Sequence, residues 1–154
     1  MSELEFRRAG ENDAETVRAL THAAYAKWVP VIGRRPKPMN ADYEHAVRAH
    51  LIELAYLDGE LAGLIELIPA ADHLLLENLA VAPAHQRKGI GRRLMARVEA
   101  LARARGLKTV RLYTNKAFTT NLEFYPKLGY TIEREETLPS GGFIVHFAKS
   151  IKMS

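Results

Sequence analysis

The stretch His85–Met95, HQRKGIGRRLM, places two glycines and four basic residues at the head of an apolar run. Glycine is a poor helix former, and Arg87, Lys88, Arg92 and Arg93 repel one another, so as a plain helix start the segment works against itself. It becomes coherent if an anion sits there. Upstream, HLLLENLAV (73–81) is apolar on nearly both faces and reads as a central strand. Downstream, Ile90, Leu94, Met95, Val98, Leu101 and Ala102 trace a helical stripe that ends before Gly106. The glycines therefore lie at a strand-to-helix junction, where unpaired backbone N–H groups and the positive end of the helix dipole suit a phosphate. Glycine also lets the phosphate approach the backbone. A P-loop would need Gly-Lys-Ser/Thr, whereas Gly91 is followed by Arg92-Arg93. A dinucleotide fingerprint would need glycine at 94, which is leucine.

Outward from this junction the elements follow from local pattern. LEFRRA (4–9) reads as a first strand. NDAETVRALTHAAYAKW (12–28) opens with Asn12 three residues before Glu15, a capping-box spacing, and puts Val17, Leu20, Ala24 and Trp28 on one apolar face. VPVIGRRPKPMNADY (29–43), broken by Pro30, Gly33, Pro36 and Pro38, reads as an ordered loop without regular structure, with a short helix following over 43–49. LIELAYL (51–57) and ELAGLIELI (60–68) flank Asp58-Gly59, a strong hairpin signal. KTVRLYT (108–114) reads as a strand, TTNLEFYPKLG (119–129) as a short helix, and YTIERE (130–135) and GFIVHFAK (142–149) as closing strands. The order implies a single α/β domain over 1–154, a mixed sheet of about seven strands flanked by about four helices.

Composition narrows the function classes. The chain has 154 residues, 47% of them hydrophobic and 26% charged, the balance of one globular domain. It has no cysteine, so nothing argues for an oxidising compartment, and no apolar run long enough for a membrane span. The expectation is a cytoplasmic protein with no membrane partner. The net charge of +4 permits an anionic partner, but the bases are scattered and no aromatics interleave with them, so nucleic acid is not expected. The six histidines show no ligand spacing, and no metal is implied.

Gln86-Arg87-Lys88-Gly89-Ile90-Gly91 fits the pattern Arg/Gln-x-x-Gly-x-Gly/Ala. It resembles the pyrophosphate loop of the GCN5-related N-acetyltransferase (GNAT) superfamily, and LENLAVAP (76–83) resembles that family's central strand. LYTNKAFTTNLEFYPKLGYT (112–131) resembles its C-terminal signature, with Asn121 and Tyr125 at the matching positions; Pro126 departs where a helix former is usual. The resemblance implies acetyl-CoA (coenzyme A) as cofactor and direct transfer of an acetyl group to a primary amine of an unidentified small-molecule or peptide acceptor. Homodimers are common in the family. The coenzyme would be held by Leu79, Ala80, Val81, Gln86, Arg87, Lys88, Gly89, Ile90, Gly91, Arg92 and Asn121. A splay between ENLAV (77–81) and VRLYT (110–114) would expose the Leu79 amide to the thioester carbonyl.

Tyr125 is the candidate acid for the leaving thiolate; without the resemblance it reads as a core tyrosine beside Phe124. Glu77 is the candidate base, and the two-residue period puts it on one face with Leu75, Leu79 and Val81. Tyr113 and His73 are lesser candidates. Tyr25, Trp28, Ile32, Tyr43 and Tyr113, around the proline-rich loop, are the expected acceptor-binding residues, and Arg34, Arg35 and Lys37 read as a solvated basic run. Two other readings compete: a coenzyme-binding sensor without turnover, and a small basic nucleic-acid-binding domain.

Overall fold

The computed structural model describes residues 3–153. Its elements are β1 (Leu4–Arg8), α1 (Ala14–Tyr25), the single turn α2 (Val29–Ile32), α3 (Tyr43–Ala49), β2 (Leu51–Leu57), β3 (Glu60–Pro69), β4 (Leu74–Val81), α4 (Ile90–Ala104), β5 (Thr109–Asn115), α5 (Thr119–Lys127), β6 (Thr131–Thr137) and β7 (Phe143–Ser150). The seven strands form one mixed sheet in the order β1-β2-β3-β4-β5-β7-β6. Only β4 and β5 pair in parallel, because α4 carries the chain back across the sheet between them. Asp58 and Gly59 both take positive φ, 51° and 83°, the geometry a two-residue hairpin between β2 and β3 requires.

Two cores sandwich the sheet. On one face Ile90, Leu94, Met95, Val98 and Ala102 of α4 pack with Leu67, Leu74, Leu76, Leu112 and Phe147. Each large side chain fully buried there contributes about 1.5–3 kcal/mol. On the other face Val17, Leu20 and Ala24 of α1 and Ala46 and Val47 of α3 cover Ile52, Leu54 and Leu64. Gly63 lies where the first face is tightest: a Cβ there would stand 2.7 Å from the Ala80 carbonyl oxygen and 3.1 Å from Leu94 Cδ1.

Two expectations about the N-terminal half change. The Asn12/Glu15 capping box does not form. Asp13 instead accepts from the Gly10 amide at 2.8 Å and pairs with Arg7, while Glu15 pairs with Arg18. The proline-rich segment is also not free of regular structure. Pro30 lies in the first turn of α2, where its missing N–H would have no partner anyway, and a 3-10 turn spans Lys37–Asn40.

The central strand carries a bulge. Glu66 of β3 pairs with Asn78 and Leu67 with Leu76, so Glu77 is one residue in excess. Before it, Leu74 and Leu76 face α4. After it, Leu79 and Val81 face α4, whereas Ala80 faces α1. Glu77 and Asn78 thus both project on the α1 side. The expectation that Glu77 shares a face with Leu79 and Val81 is overturned, because the excess residue breaks the two-residue period. The parallel ladder to β5 also stops at Leu76↔Leu112, and beyond it the two strands diverge.

Candidate active site

α4 starts at Ile90 behind Gly89, whose φ is 76°, and no side chain caps it. The first amides of the helix have no partner within it and face a cleft of about 680 Å³. Nothing lies within 4 Å of the position a Gly89 Cβ would take, so glycine serves there for its backbone angle. Gly91 has another reason. The Phe124 ring stands 3.3 Å from its Cβ position, so this glycine admits α5 against α4 rather than only an anion. Gln86 Nε2 donates to the Val81 carbonyl at 3.2 Å and Gln86 Oε1 accepts from Lys27 Nζ at 3.5 Å, which ties the loop to β4 and to the 3-10 turn Ala26–Trp28 that follows α1. His85 also lines the cleft and leaves Nδ1 buried without a partner.

The cleft follows the outer edge of β4. The Leu79 carbonyl accepts from the Tyr25 hydroxyl at 3.3 Å, and the Val81 carbonyl from Gln86, so these residues direct their backbone groups away from β3. The N–H and C=O of one strand residue point the same way, and the Leu79 amide therefore faces the opening to β5. At the far end Asn121 Nδ2 donates to Thr114 Oγ1 at 3.0 Å, fixing α5 to β5. Tyr125 lines this end, with its ring packed among Phe124, Tyr130 and Phe147. Burial pushes its phenol well above the ordinary value and keeps it protonated. Pro126, one residue before the end of α5, leaves Tyr125 in place.

Four residues, Tyr25, Glu77, Tyr113 and Thr114, line both this cleft and a second one of about 550 Å³ on the α1 side. At this junction the Tyr113 hydroxyl donates to Glu77, and Lys37 Nζ donates to the Tyr113 oxygen at 3.0 Å while lying 3.6 Å from Glu77 Oε1. Burial first, then Glu77, raises the Tyr113 phenol above its usual range. The second cleft is roofed by the proline-rich segment and closed by the β6–β7 hairpin. Arg34 Nη2 donates to the Gly141 carbonyl at 3.1 Å, and His146 Nε2 meets Glu136 Oε1 at 2.8 Å.

The sequence profile of the acetyltransferase (GNAT) family matches residues 17–130. The chain belongs to that family. A spermidine N(1)-acetyltransferase of Thermoplasma acidophilum is 32% identical over 79 residues, which cover 51% of this chain and 49% of that protein. N-alpha-acetyltransferase 80 of Mus musculus is 39% identical over 71 residues, 46% of this chain and 21% of that one. The matches thus span half or less of these relatives. Among solved structures, the PaiA N-acetyltransferase of Thermoplasma acidophilum in complex with coenzyme A superposes with TM-score 0.76 at 22% identity, covering 96% of this chain and 99% of that one, which is a likeness of fold.

Within this GNAT fold the residues expected to hold the coenzyme come together along the first cleft, except Lys88, which does not line it. The expected acceptor residues divide. Ile32 lines the second cleft, Tyr25 and Tyr113 line both, and Trp28 lines the first, stacked on Phe118 at 4.6 Å. Tyr43 lines neither: it is 3% exposed and its hydroxyl donates to the Pro38 carbonyl at 2.7 Å, so it belongs to the core under the loop. His73 pairs with Asp72 in the turn before β4 and lines neither cleft. Arg34, Arg35 and Lys37 are not simply solvated, since each is bonded to a fixed partner. The contribution of the β6–β7 hairpin, through Glu136, Leu138, Ile144 and His146, is absent from the sequence reading. Its one local signal is the Gly141-Gly142 turn, which says nothing about what the hairpin covers.

Proposed function

We propose that this chain acts as a single-domain N-acetyltransferase, moving an acetyl group from acetyl-CoA directly to a primary amine of a small molecule or peptide. The observation that carries the reading is the opening between β4 and β5, where a cleft suited to a pyrophosphate-bearing donor meets a second cleft at Glu77 and Tyr113. The amides from Gly89 to Arg92 would hold the pyrophosphate, with Arg87 toward the ribose phosphate and Ile90 closing the floor of the loop. The edge of β4 from Leu79 through Ala80 to Val81, and Asn121 opposite, would hold the pantetheine arm. Bound there, acetyl-CoA supplies an acyl group activated as a thioester.

The chain's own groups supply the rest. The Leu79 amide, facing the opening, would donate to the developing oxyanion, and such a fixed donor is worth roughly 3–4 kcal/mol. An aliphatic amine with a pKa of about 10 is mostly charged at neutral pH and must lose a proton before it attacks. Glu77, at the junction, would take that proton directly or through Tyr113. Tyr125, held protonated by burial, would give one to the leaving sulfur. The chain has no cysteine to carry an acyl group, which favours direct transfer.

Thermal unfolding with acetyl-CoA, with ATP and NAD as controls, tests the first half. Ligand at about 100 times its Kd adds roughly 2.7 kcal/mol, a shift of several degrees. The second half is amine-dependent thiol release, screened first with spermidine and peptide α-amines, the acceptor types in the relatives' names. A shift with acetyl-CoA alone, followed by release, supports the reading; no shift at millimolar ligand overturns it. A sensor without turnover would show the shift and no release.

A further inference from the structure

We propose that Lys37 is itself an acetyl acceptor: without an external amine, the chain acetylates its own Lys37 Nζ in cis. The proposal rests on the acetyltransferase reading above and deepens it. A primary amine is expected to bind at the junction of the two clefts, beside Glu77 and Tyr113, and the chain already keeps one there. Lys37 Nζ donates to the Tyr113 hydroxyl oxygen at 3.0 Å, lies 3.6 Å from Glu77 Oε1 and stands 5.2 Å from the Tyr113 ring centroid. Among the described residues no other lysine touches either group. Lys27, which also lines a cleft, is engaged by Gln86 and Trp28, and Lys116 and Lys149 are held by Glu135 and Glu99.

The placement is built rather than incidental. Lys37 lies between two prolines; Pro36 is buried and the Pro38 carbonyl accepts from the core hydroxyl of Tyr43 at 2.7 Å. The Met39 amide donates to the Pro36 carbonyl, and Arg35 reaches the Met39 carbonyl. The backbone on both sides of the lysine is therefore pinned, while its side chain, 76% exposed, reaches Tyr113 and Glu77 at the junction. An amine held within the same molecule as the acyl site reacts at an effective concentration far above that of a dilute external amine.

The step balances. Nζ, an ammonium, gives one proton to Glu77 and as the neutral amine forms a bond to the acyl carbon of acetyl-CoA. The carbon–sulfur bond breaks, and the sulfur leaves as the thiol with the proton from Tyr125. The second proton shed by Nζ restores Tyr125, while Glu77 passes its proton to solvent. The products are N-acetyl-lysine at position 37 and free coenzyme A. An external amine must displace Nζ from Tyr113 and Glu77, so it protects Lys37.

The test incubates the full chain with acetyl-CoA and no amine, then reads intact mass and peptide maps over time. The expected result is one acetyl group per chain, at Lys37, at a rate per chain independent of protein concentration. Lys37→Arg abolishes it, and Glu77→Gln slows it about a hundredfold. Tyr125→Phe, which leaves the junction intact, serves as a second variant. Acetylation spread over exposed lysines and equally fast in Glu77→Gln is simple chemical acylation and overturns the proposal, as does a rate that grows with protein concentration. An unmodified Lys37 in a chain that releases thiol with an external amine overturns it while leaving the acetyltransferase reading standing. No labelling together with no acetyl-CoA-induced thermal shift overturns both.

Discussion

The two clefts share Tyr25, Glu77, Tyr113 and Thr114, yet they are held by different kinds of contact. The first is made largely of backbone: the free edge of β4, the loop closed by Gln86, and the start of α4, whose Ile90 and Leu94 are locked in the core. The second is made by side chains from segments far apart in sequence, joined through Arg34 to Gly141 and Lys37 to Tyr113. A wall of backbone can change its ligand only by changing the fold. A wall of loop side chains can be rebuilt by substitution while the fold stays, which is the usual division between scaffold and specificity.

That contrast breaks or sharpens under mutation. The largest effect belongs to the shared junction: Glu77→Gln should lower kcat about a hundredfold with little change in either KM, and steady-state kinetics with both substrates varied will tell. If KM moves instead, Glu77 belongs to one wall rather than to the junction. Gly63→Ala should come next, because its Cβ meets backbone that cannot move aside. A cost of about 2 kcal/mol, roughly 4–8 °C in Tm, would show that the first cleft is anchored in the core.

Gly89→Ala forces a side chain to positive φ. It should raise the KM for acetyl-CoA about fivefold and leave that of the amine unchanged. Arg34→Ala should do the reverse, raising only the amine KM, by about threefold. The smallest effect lies beneath the second cleft, where Glu66 is buried against His50. Burial, partly offset by His50, raises its pKa, so its contribution to stability is full below the unfolded value of about 4.3 and is lost as pH rises through the folded one. The Tm of Glu66→Gln should therefore gain on that of the parent as pH rises, and a parallel pair of Tm–pH curves would exclude this.

What the sequence made legible was whatever is decided locally. The strand-to-helix junction at Gly89, the Asp58-Gly59 hairpin and the stripe of α4 are each set within a dozen residues, and each forms as read. Contacts set by distant partners were hidden. Nothing near Tyr43 reveals that its hydroxyl reaches Pro38 in the core rather than a substrate, and nothing near Gly91 reveals Phe124. The Asn12/Glu15 spacing lost to a competitor, since Asp13 found both Arg7 and the Gly10 amide. The face of Glu77 could not be read, because a bulge belongs to the pairing of two strands and not to either sequence.

That excess residue has a consequence for how the strand tolerates change. Removing Glu77 would set Asn78 directly after Leu76, and no later side chain would turn over, since Leu79 would still face α4 and Ala80 still face α1. The ladder to β3 would become regular, and the ladder to β5 could run on past Leu112. Evolution by deletion would thus find a straighter and better-paired sheet one codon away, at the cost of the gap. Substitution at position 77 asks what the carboxylate does, whereas deletion asks what the bend does, and the strand answers the two questions separately.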